Sequence, residues 1–230
     1  MNIQILQLVE GAKQARGLTV VIDVFRAFSV EAYLFAQGAE RILPIGDDDL
    51  AYRLKEENPA FLLAGERMGR ILPGFDMGNS PFENQSVDVT GRTVVHTTSA
   101  GTQGIANATG ADEILGAGLV NARATAEYIR RSGAREVSLV CMGWAAIRPT
   151  EEDTLCAEYI KSLLEGTPFD LASGIEDLGR TSGAKFFDPT QSEVFPMEDF
   201  ALCTDADRFD FVLKLIQKEG EIPYMTRQRI

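Results

Sequence analysis

The chain of 230 residues carries a formal net charge of −12, and hydrophobic residues make up 45% of it. This composition is typical of a globular protein rather than a disordered one, and the negative charge opposes non-specific binding to nucleic acid. No apolar run reaches the ~20 residues that a membrane span needs, and the three cysteines form no CxxC pair, so we expect a cytoplasmic protein without a disulfide framework.

Short apolar runs alternate with longer amphipathic stretches, which predicts repeated βα units. The predicted strands lie near 2–8, 19–24, 40–45, 60–65, 92–97, 112–117 and 136–142. The predicted helices lie near 28–37, 47–57, 100–108, 121–132, 151–165, 168–178 and 207–218. We therefore predict an α/β fold of three layers with a largely parallel or mixed sheet, as one domain over 1–230 that could comprise two intertwined lobes.

Polar residues follow several of the predicted strands. The β-branched run 19–22 suits a strand buried on both faces, and it ends at Asp23. Glu66 follows the strand near 60–65, and Thr97 and Thr98 close the strand near 92–97. Because ligands of open α/β sheets bind at the carboxyl ends of the strands, we expect these side chains to share one rim.

Two further local patterns carry predictions. The segment 67–84 contains three glycines and two prolines and predicts a long ordered loop rather than a regular element. Asp47 to Asp49 are expected to open a helix, where negative charge complements the helix dipole. Thr150 and Asp153 form a pattern like a capping box, which predicts that the Thr150 side chain caps the next helix.

Five clusters follow one another in a fixed order between about residues 19 and 160. They are DVFRAFS at 23–29, GER at 65–67, GFDMGNSP at 74–81, TTSAGT at 97–102 and EEDTLCA at 151–157. Together they resemble the 2-phosphosulfolactate phosphatase family. The resemblance implies that family's own type of α/β fold and Mg²⁺-dependent hydrolysis of a phosphate ester of a small hydroxy acid, a step of coenzyme M biosynthesis in the family.

The sequence departs from the family pattern at two places. The threonine-rich turn reads Ser99-Ala100-Gly101-Thr102 where the family has Asn-Gly-Thr, and the CAG-type segment is CMGW at 141–144. Both changes can alter the substrate pocket, so we expect that 2-phosphosulfolactate itself is not the best substrate. The chain beyond about residue 165 matches no motif, and its role is left open.

Phosphoester chemistry gives the clusters an independent reading. Phosphate oxygens repel a nucleophile until cations neutralise them, and Mg²⁺ prefers oxygen ligands. We predict that Asp23, Asp76 and Asp153 bind Mg²⁺, and that Asp23, Arg26, Glu66 and Arg67 are catalytic. For Asp23 the sequence leaves open whether it is a metal ligand, a nucleophile or only a helix cap, and for either arginine a structural ion pair remains the alternative.

Hydroxyl and amide side chains in the same clusters are candidates for substrate binding. A strand that feeds a glycine-containing turn and a helix offers backbone N–H groups and a helix dipole to an anion. Helix capping and turn formation explain the same residue types. The predicted substrate-binding residues are Ser29, Asn79, Ser80, Thr97, Thr98, Ser99 and Thr102.

Three functional hypotheses remain after the sequence alone. The leading one is a magnesium-dependent phosphatase acting on a small anionic phosphoester, without nucleic acid or membrane partners and with homodimer formation left open. The second is a non-catalytic domain that senses or binds a small anion in a phosphatase-like pocket. The third, a metal-independent isomerase or lyase of phosphorylated acids, needs an acid/base pair that the sequence does not identify. His96, the single histidine, is predicted to be a strand residue rather than a catalyst.

Overall fold

The computed structural model describes residues 1–230 and contains one mixed sheet of 10 strands. The strands are β1 (Asn2–Gln7), β2 (Gly17–Ile22), β3 (Arg41–Pro44), β4 (Leu62–Arg67), β5 (Arg70–Ile71), β6 (Thr93–Thr97), β7 (Ala111–Ala117), β8 (Glu136–Cys141), β9 (Phe211–Ile216) and β10 (Tyr224–Arg229). Their order across the sheet is β1-β8-β2-β7-β9-β10-β3-β6-β4-β5.

Two groups of parallel strands make up most of this sheet. The first parallel group consists of β1, β8, β2 and β7, and the second consists of β3, β6 and β4. The antiparallel pair β9 and β10, formed by the end of the chain, joins the two groups. The C-terminal segment therefore completes the sheet.

Eight α-helices connect and cover the strands. They are α1 (Leu8–Gln14), α2 (Ala27–Ala36), α3 (Asp48–Glu57), α4 (Gly101–Asn107), α5 (Ala122–Ser132), α6 (Glu151–Glu165), α7 (Leu171–Leu178) and α8 (Met197–Thr204). Short 3₁₀ turns occur at Glu83–Ser86, Leu119–Asn121 and Ala184–Phe187. None of the helices combines the length and apolar character that crossing a bilayer requires.

Strand β2 shows why the fold has three layers. Val21 packs in one core cluster with residues of α2 and α4, whereas Val20 and Ile22 pack in another with residues of α5 and α6. Successive side chains of a strand point to opposite faces, so an all-apolar strand needs cover on both sides. The structure confirms the predicted α/β class and the prediction that the run 19–22 is buried on both faces.

The seven predicted strands and the first six predicted helices are present, with ends shifted by at most a few residues. The predicted helix near 207–218 is wrong, because Phe211–Ile216 is strand β9. Local periodicity could not show this, since β9 is stabilised by pairing with β7 and β10, which lie far from it or after it in the chain. Helices α1 and α8 were not predicted.

A tight turn orders the start of the loop after β4. Met68 and Gly69 both have positive φ, 55° and 82°, and connect β4 to the short strand β5 in a hairpin whose turn type glycine favours. Earlier in the chain, Asp47 accepts a hydrogen bond of 2.9 Å from the Leu50 N–H, which confirms the predicted cap of α3. The predicted side-chain cap by Thr150 is wrong, because its hydroxyl bonds to no backbone N–H of α6.

The sheet has to curl strongly to bring its two parallel groups together. Six strand-to-strand steps separate β2 from β4, which at ~4.8 Å per step would place them roughly 29 Å apart in a flat sheet. Asp23 follows β2 and Glu66 lies in β4, yet both line the same pocket. The curvature of the sheet thus brings the carboxyl ends of β2 and β4 to one pocket.

Candidate active site

A pocket at these strand ends is lined by five of the thirteen site residues predicted from the sequence, namely Asp23, Arg26, Glu66, Asn79 and Ser99. It encloses about 400 Å³ including its mouth, and we call it the central pocket. Its wall includes Asp23, Phe25, Arg26, Glu66, Asn79, Ser99, Trp144 and Phe195.

Asp23 lies at the floor of the central pocket and is only 6% exposed. Its Oδ1 accepts a hydrogen bond of 3.1 Å from the Ala27 N–H at the start of α2. Burial above all, with the charges of Glu66 and Glu152 nearby, raises the pKa of Asp23 to about 6. A side chain at Gly101 would come within 3.0 Å of Asp23 Oδ2, so a glycine there allows α4 to approach the carboxylate.

Asp153 supports Asp23 from behind instead of lining the pocket. Its Oδ1 accepts from the Val24 N–H and its Oδ2 from the Gly143 N–H, both at 2.8 Å. Asp153 therefore ties the end of β2 to the loop after β8. Burial raises its pKa well above the usual value, and the charges of Glu152 and Asp23 add to the rise.

Glu152 is a buried carboxylate that the sequence prediction did not include among the site residues. It is 3% exposed, and its Oε2 has no hydrogen-bonding partner. Its charge raises the pKa values of both Asp23 and Asp153. The floor of the central pocket therefore concentrates negative charge that the protein does not fully compensate.

Glu66, unlike Glu152, accepts hydrogen bonds at both carboxylate oxygens. Its Oε1 accepts from the Ser99 N–H at 2.8 Å, and its Oε2 accepts from the Gly69 N–H at 2.6 Å and from Ser99 Oγ at 3.2 Å. This carboxylate joins the turn of the β4–β5 hairpin to the loop between β6 and α4. Ser99, a predicted substrate-binding residue, also lines the central pocket.

Arg26 brings positive charge to the central pocket. It is 4% exposed, and its Nη1 lies 2.6 Å from Oδ2 of Asp199, which is fully buried. Asp199 Oδ1 in turn accepts from Ser80 Oγ at 2.8 Å and from the Phe82 N–H at 3.0 Å. Ser80 therefore helps to hold Asp199, which orients Arg26, and does not line the central pocket.

Asn79 lines the central pocket and belongs to a buried chain of polar side chains. Its Oδ1 lies 3.3 Å from His96 Nε2, and His96 Nδ1 lies 2.9 Å from Glu31 Oε1. His96 is a buried residue of β6, in agreement with its predicted place in a strand. Burial raises the pKa of Glu31. The chain fixes the orientation of the Asn79 amide at the pocket wall.

The structure does not bring five other predicted residues to the central pocket. Ser29 Oγ donates to the Val24 carbonyl at 2.8 Å, and Thr98 and Thr102 bond to each other within the turn before α4. Arg67 pairs with Asp48 and donates to Thr97 Oγ1 at 2.9 Å. Hydroxyls can satisfy either the backbone or a ligand, and here nearby partners take them.

Asp76 lies apart from Asp23 and Asp153. Its Oδ2 accepts from the Leu63 N–H at 2.8 Å and from Lys55 Nζ at 3.1 Å, and it does not line the central pocket. The predicted trio of metal ligands therefore does not converge in this structure.

The donor set decides which cation the site can accept. No three acidic, histidine or cysteine side chains converge in a way that would hold a metal by themselves. Mg²⁺ commonly takes one or two carboxylates and completes its shell with water and phosphate oxygens. Asp23 and Glu66, which line one pocket, fit that requirement, and the unpartnered Glu152 oxygen leaves negative charge beside them.

Three contributors to the site escaped the sequence analysis because they lie in the unmatched C-terminal third. Asp199 binds Arg26, Phe195 places its ring 5.1 Å from the Arg26 guanidinium, and Lys185 lies 4.7 Å from the centre of the Trp144 ring. No local pattern marks these residues, since their partners are more than 40 positions away.

Comparison with known proteins matches a protein family over nearly the whole chain. The model of a family described as 2-phosphosulpholactate phosphatase matches residues 3–218. A protein of Bacillus subtilis named "Probable 2-phosphosulfolactate phosphatase" is 34% identical over 215 residues, 91% of each chain. A protein of the same name from Caldanaerobacter subterraneus is 32% identical over 210 residues, 85% of this chain and 86% of its own.

Proposed function

The chain belongs to the 2-phosphosulfolactate phosphatase family, and on that premise we propose that it hydrolyses the phosphate monoester of a small hydroxy acid, with 2-phosphosulfolactate or a related compound as its substrate. The observation that carries this proposal is the meeting of Asp23 and Arg26 in one pocket. In the reaction, an oxygen of water ends on phosphorus and the bond between phosphorus and the alcohol oxygen breaks. The alcohol oxygen takes a proton, so the products are 3-sulfolactate and inorganic phosphate.

Arg26 is suited to bind the phosphoryl group. The buried carboxylate of Asp199 binds Nη1 of its guanidinium and the Gly69 carbonyl accepts a long hydrogen bond of 3.5 Å from Nη2, which leaves further N–H groups for phosphate oxygens. Because Asp199 fixes the orientation before substrate arrives, little reorganisation is needed when charge shifts onto the leaving oxygen. Phe25, Trp144 and Phe195 line the same pocket and would exclude water around the ester.

Asp23 is the residue that would act at phosphorus. With its pKa near 6 it is mostly ionised at neutral pH, as either a nucleophile or a metal ligand must be. We propose Mg²⁺ as the cofactor, held by Asp23 with Glu66. When bound, Mg²⁺ would neutralise charge on the phosphate oxygens and so lower the barrier to attack.

Release of inorganic phosphate from 2-phosphosulfolactate tests the proposal, with added MgCl₂ and with EDTA. We expect release that needs the metal and that Asp23→Asn abolishes. Asp112→Asn is the matched control, because it makes the same chemical change at an exposed residue of β7. Absence of hydrolysis across a panel of phosphorylated hydroxy acids would overturn the function, and full activity in EDTA would overturn the cofactor alone.

The same panel tests the expectation that 2-phosphosulfolactate is not the best substrate. The panel would compare 2-phosphosulfolactate with other phosphorylated hydroxy acids by kcat/KM. Much faster hydrolysis of 2-phosphosulfolactate than of all the others would contradict that expectation while leaving the phosphatase activity in place.

A further inference from the structure

A second pocket adjoins the central pocket and has a different character. The two share Met68, Trp144 and Phe195 in their walls. We call the second one the basic pocket, because Arg70, Arg148 and Lys185 line it. These three cations come from the β4–β5 hairpin, the loop after β8 and the 3₁₀ turn before α8, so the fold assembles them from distant parts of the chain.

The cations of the basic pocket lack partners within the protein. In this acidic chain most arginines and lysines donate to a carboxylate or a carbonyl. Those whose side chains have neither a hydrogen bond nor an ion pair are Arg53, Arg70, Arg135, Arg148, Lys185 and Arg229. Half of these unpaired cations line this one pocket. Glu193 is the only acidic residue in its wall, so the pocket carries a net positive charge.

Lys185 is held in place without using its N–H groups. Its Nζ lies 4.7 Å from the ring centre of Trp144 and 5.1 Å from that of Phe195, with Phe25 and Phe186 next to it at 5.6 and 5.4 Å. Such contacts attract the ammonium through the ring faces and leave all three donors free. Burial lowers the pKa of Lys185, although the charges of Glu152, Asp23 and Asp153 oppose the fall, and an anion beside Nζ would add to their effect.

Two hydroxyls complete the wall. Thr150 is 6% exposed and its Oγ1 has no hydrogen-bonding partner, although the residue begins α6, where threonine usually caps. Ser182 Oγ is likewise buried and unpartnered. Buried polar groups without partners are uncommon in folded proteins, and a ligand oxygen in the basic pocket would satisfy them.

We propose that the basic pocket binds the sulfonate of the substrate while the central pocket holds its phosphate, an inference that rests on the proposed function. A sulfonate presents three acceptor oxygens and one negative charge. Two arginines, a lysine and two hydroxyls provide donors for all of these oxygens. The shared residues Met68, Trp144 and Phe195 place the two pockets side by side, so the substrate would reach across this common wall. Arg148 and Lys185 are then specificity-determining residues.

Two substrates that differ in the sulfonate test whether that group is recognised. In 2-phospholactate a methyl group replaces the CH₂–SO₃⁻ of 2-phosphosulfolactate, and the phosphate and carboxylate are unchanged. We expect Arg148→Gln to reduce kcat/KM for 2-phosphosulfolactate by roughly 10- to 100-fold, the usual effect of losing a charge-assisted hydrogen bond, and to change that for 2-phospholactate by less than about 3-fold. Arg148→Lys should restore part of the loss because it keeps the charge.

The control variant is Arg135→Gln. Arg135 is another unpaired arginine, but it precedes β8 and lies at the opposite end of that strand from the pockets. We expect Arg135→Gln to leave kcat/KM for both substrates unchanged. Lys185→Gln provides a second test at a partly buried position, with the melting temperature measured alongside. Equal losses for both substrates in Arg148→Gln and Lys185→Gln would overturn the inference.

A binding measurement separates this inference from the proposed function. By calorimetry we expect 3-sulfolactate to bind the wild-type protein more tightly than lactate, and Arg148→Gln to remove that difference. If no phosphomonoester is hydrolysed but this preference is present, the function fails and the sulfonate site stands. If hydrolysis occurs but Arg148→Gln binds 3-sulfolactate as the wild type does, the sulfonate site fails and the function stands.

Discussion

The two parallel groups of strands each bring an acidic residue to the central pocket, and the two residues are treated differently. Asp23, from the first group, is buried near Glu66 and Glu152, and its pKa rises to about 6. Glu66, from the second group, accepts three hydrogen bonds from Gly69 and Ser99. A carboxylate at a strand end therefore has a raised pKa where its charge is left uncompensated, as in Asp23, and is held in a fixed orientation where N–H and O–H groups converge on it, as in Glu66.

The difference between Asp23 and Glu66 should be largest in catalytic activity. We expect Asp23→Asn to reduce phosphate release by at least roughly 10³-fold, since an amide cannot serve as a nucleophile or bind a hard cation as a carboxylate does. Glu66→Gln should be milder, at about 10- to 100-fold, because saturating MgCl₂ offsets the weakening of a second ligand, and the rest of the loss comes from the hydrogen bonds that this carboxylate accepts from Gly69 and Ser99. Steady-state kinetics under saturating MgCl₂ measure both. A greater loss in Glu66→Gln than in Asp23→Asn would reverse the two roles.

The buried ion pair of Arg26 with Asp199 should give the next largest effect, on stability. Arg26 and Asp199 are 4% and 0% exposed and lie 2.6 Å apart. Removing one partner of a buried ion pair leaves the other charge uncompensated, so we expect Asp199→Asn to lower the free energy of unfolding by about 3–5 kcal/mol. Asp205→Asn is the matched control. Asp205 pairs with Arg208 at the surface, so we expect Asp205→Asn to lower the free energy of unfolding by less than about 1 kcal/mol. Chemical denaturation measures both, and similar small losses would show that Asp199 is not needed to hold Arg26.

Stability should change in opposite directions at the two carboxylates. Asp23→Asn removes a charge whose pKa is raised from 3.8 to about 6, so we expect it to stabilise the metal-free protein at pH 7 by about 3 kcal/mol. Glu66→Gln turns an acceptor oxygen into an NH₂ that faces N–H donors, so we expect it to destabilise the protein by about 1–3 kcal/mol. Denaturant unfolding in EDTA measures both changes.

The pH dependence provides the check on this pair. The folded state of the wild type holds the Asp23 proton more tightly than the unfolded state does. Its contribution is therefore fully present below pH 3.8 and is lost as pH rises through about 6. The difference between Asp23→Asn and wild type should be near zero at pH 4 and reach its maximum above pH 6. A difference that does not vary with pH would place its origin outside the Asp23 charge.

The smallest expected effect concerns Asp76, which the sequence assigned to the metal. Its contacts are Leu63 N–H and the partly exposed Lys55. We expect Asp76→Asn to cost less than about 1 kcal/mol of stability and to leave the MgCl₂ concentration needed for half-maximal activity unchanged. An increase in that concentration would restore Asp76 as a metal ligand and extend the site beyond the central pocket.

Local sequence determined the βα pattern and the strand ends. Apolar runs such as 19–22 can be stable only as strands covered on both faces, and the residue that follows such a strand lies at its carboxyl end. Asp23 and Glu66 were predictable for that reason. The family clusters added Arg26, Asn79 and Ser99, which also line the central pocket.

The tertiary structure decided which side chains face the ligand. Ser29 and Thr102 carry the same hydroxyls as pocket residues, but their nearest acceptors are in the backbone, and only packing reveals that choice. Strand β9 pairs with the distant strand β7 as well as with its neighbour β10, and the ion pair of Asp199 with Arg26 and the contact of Lys185 with Trp144 also join distant parts of the chain. Such contacts depend on the whole folded core rather than on neighbouring residues. Asp23 could therefore be predicted from local patterns, whereas Asp199 and Lys185 could not.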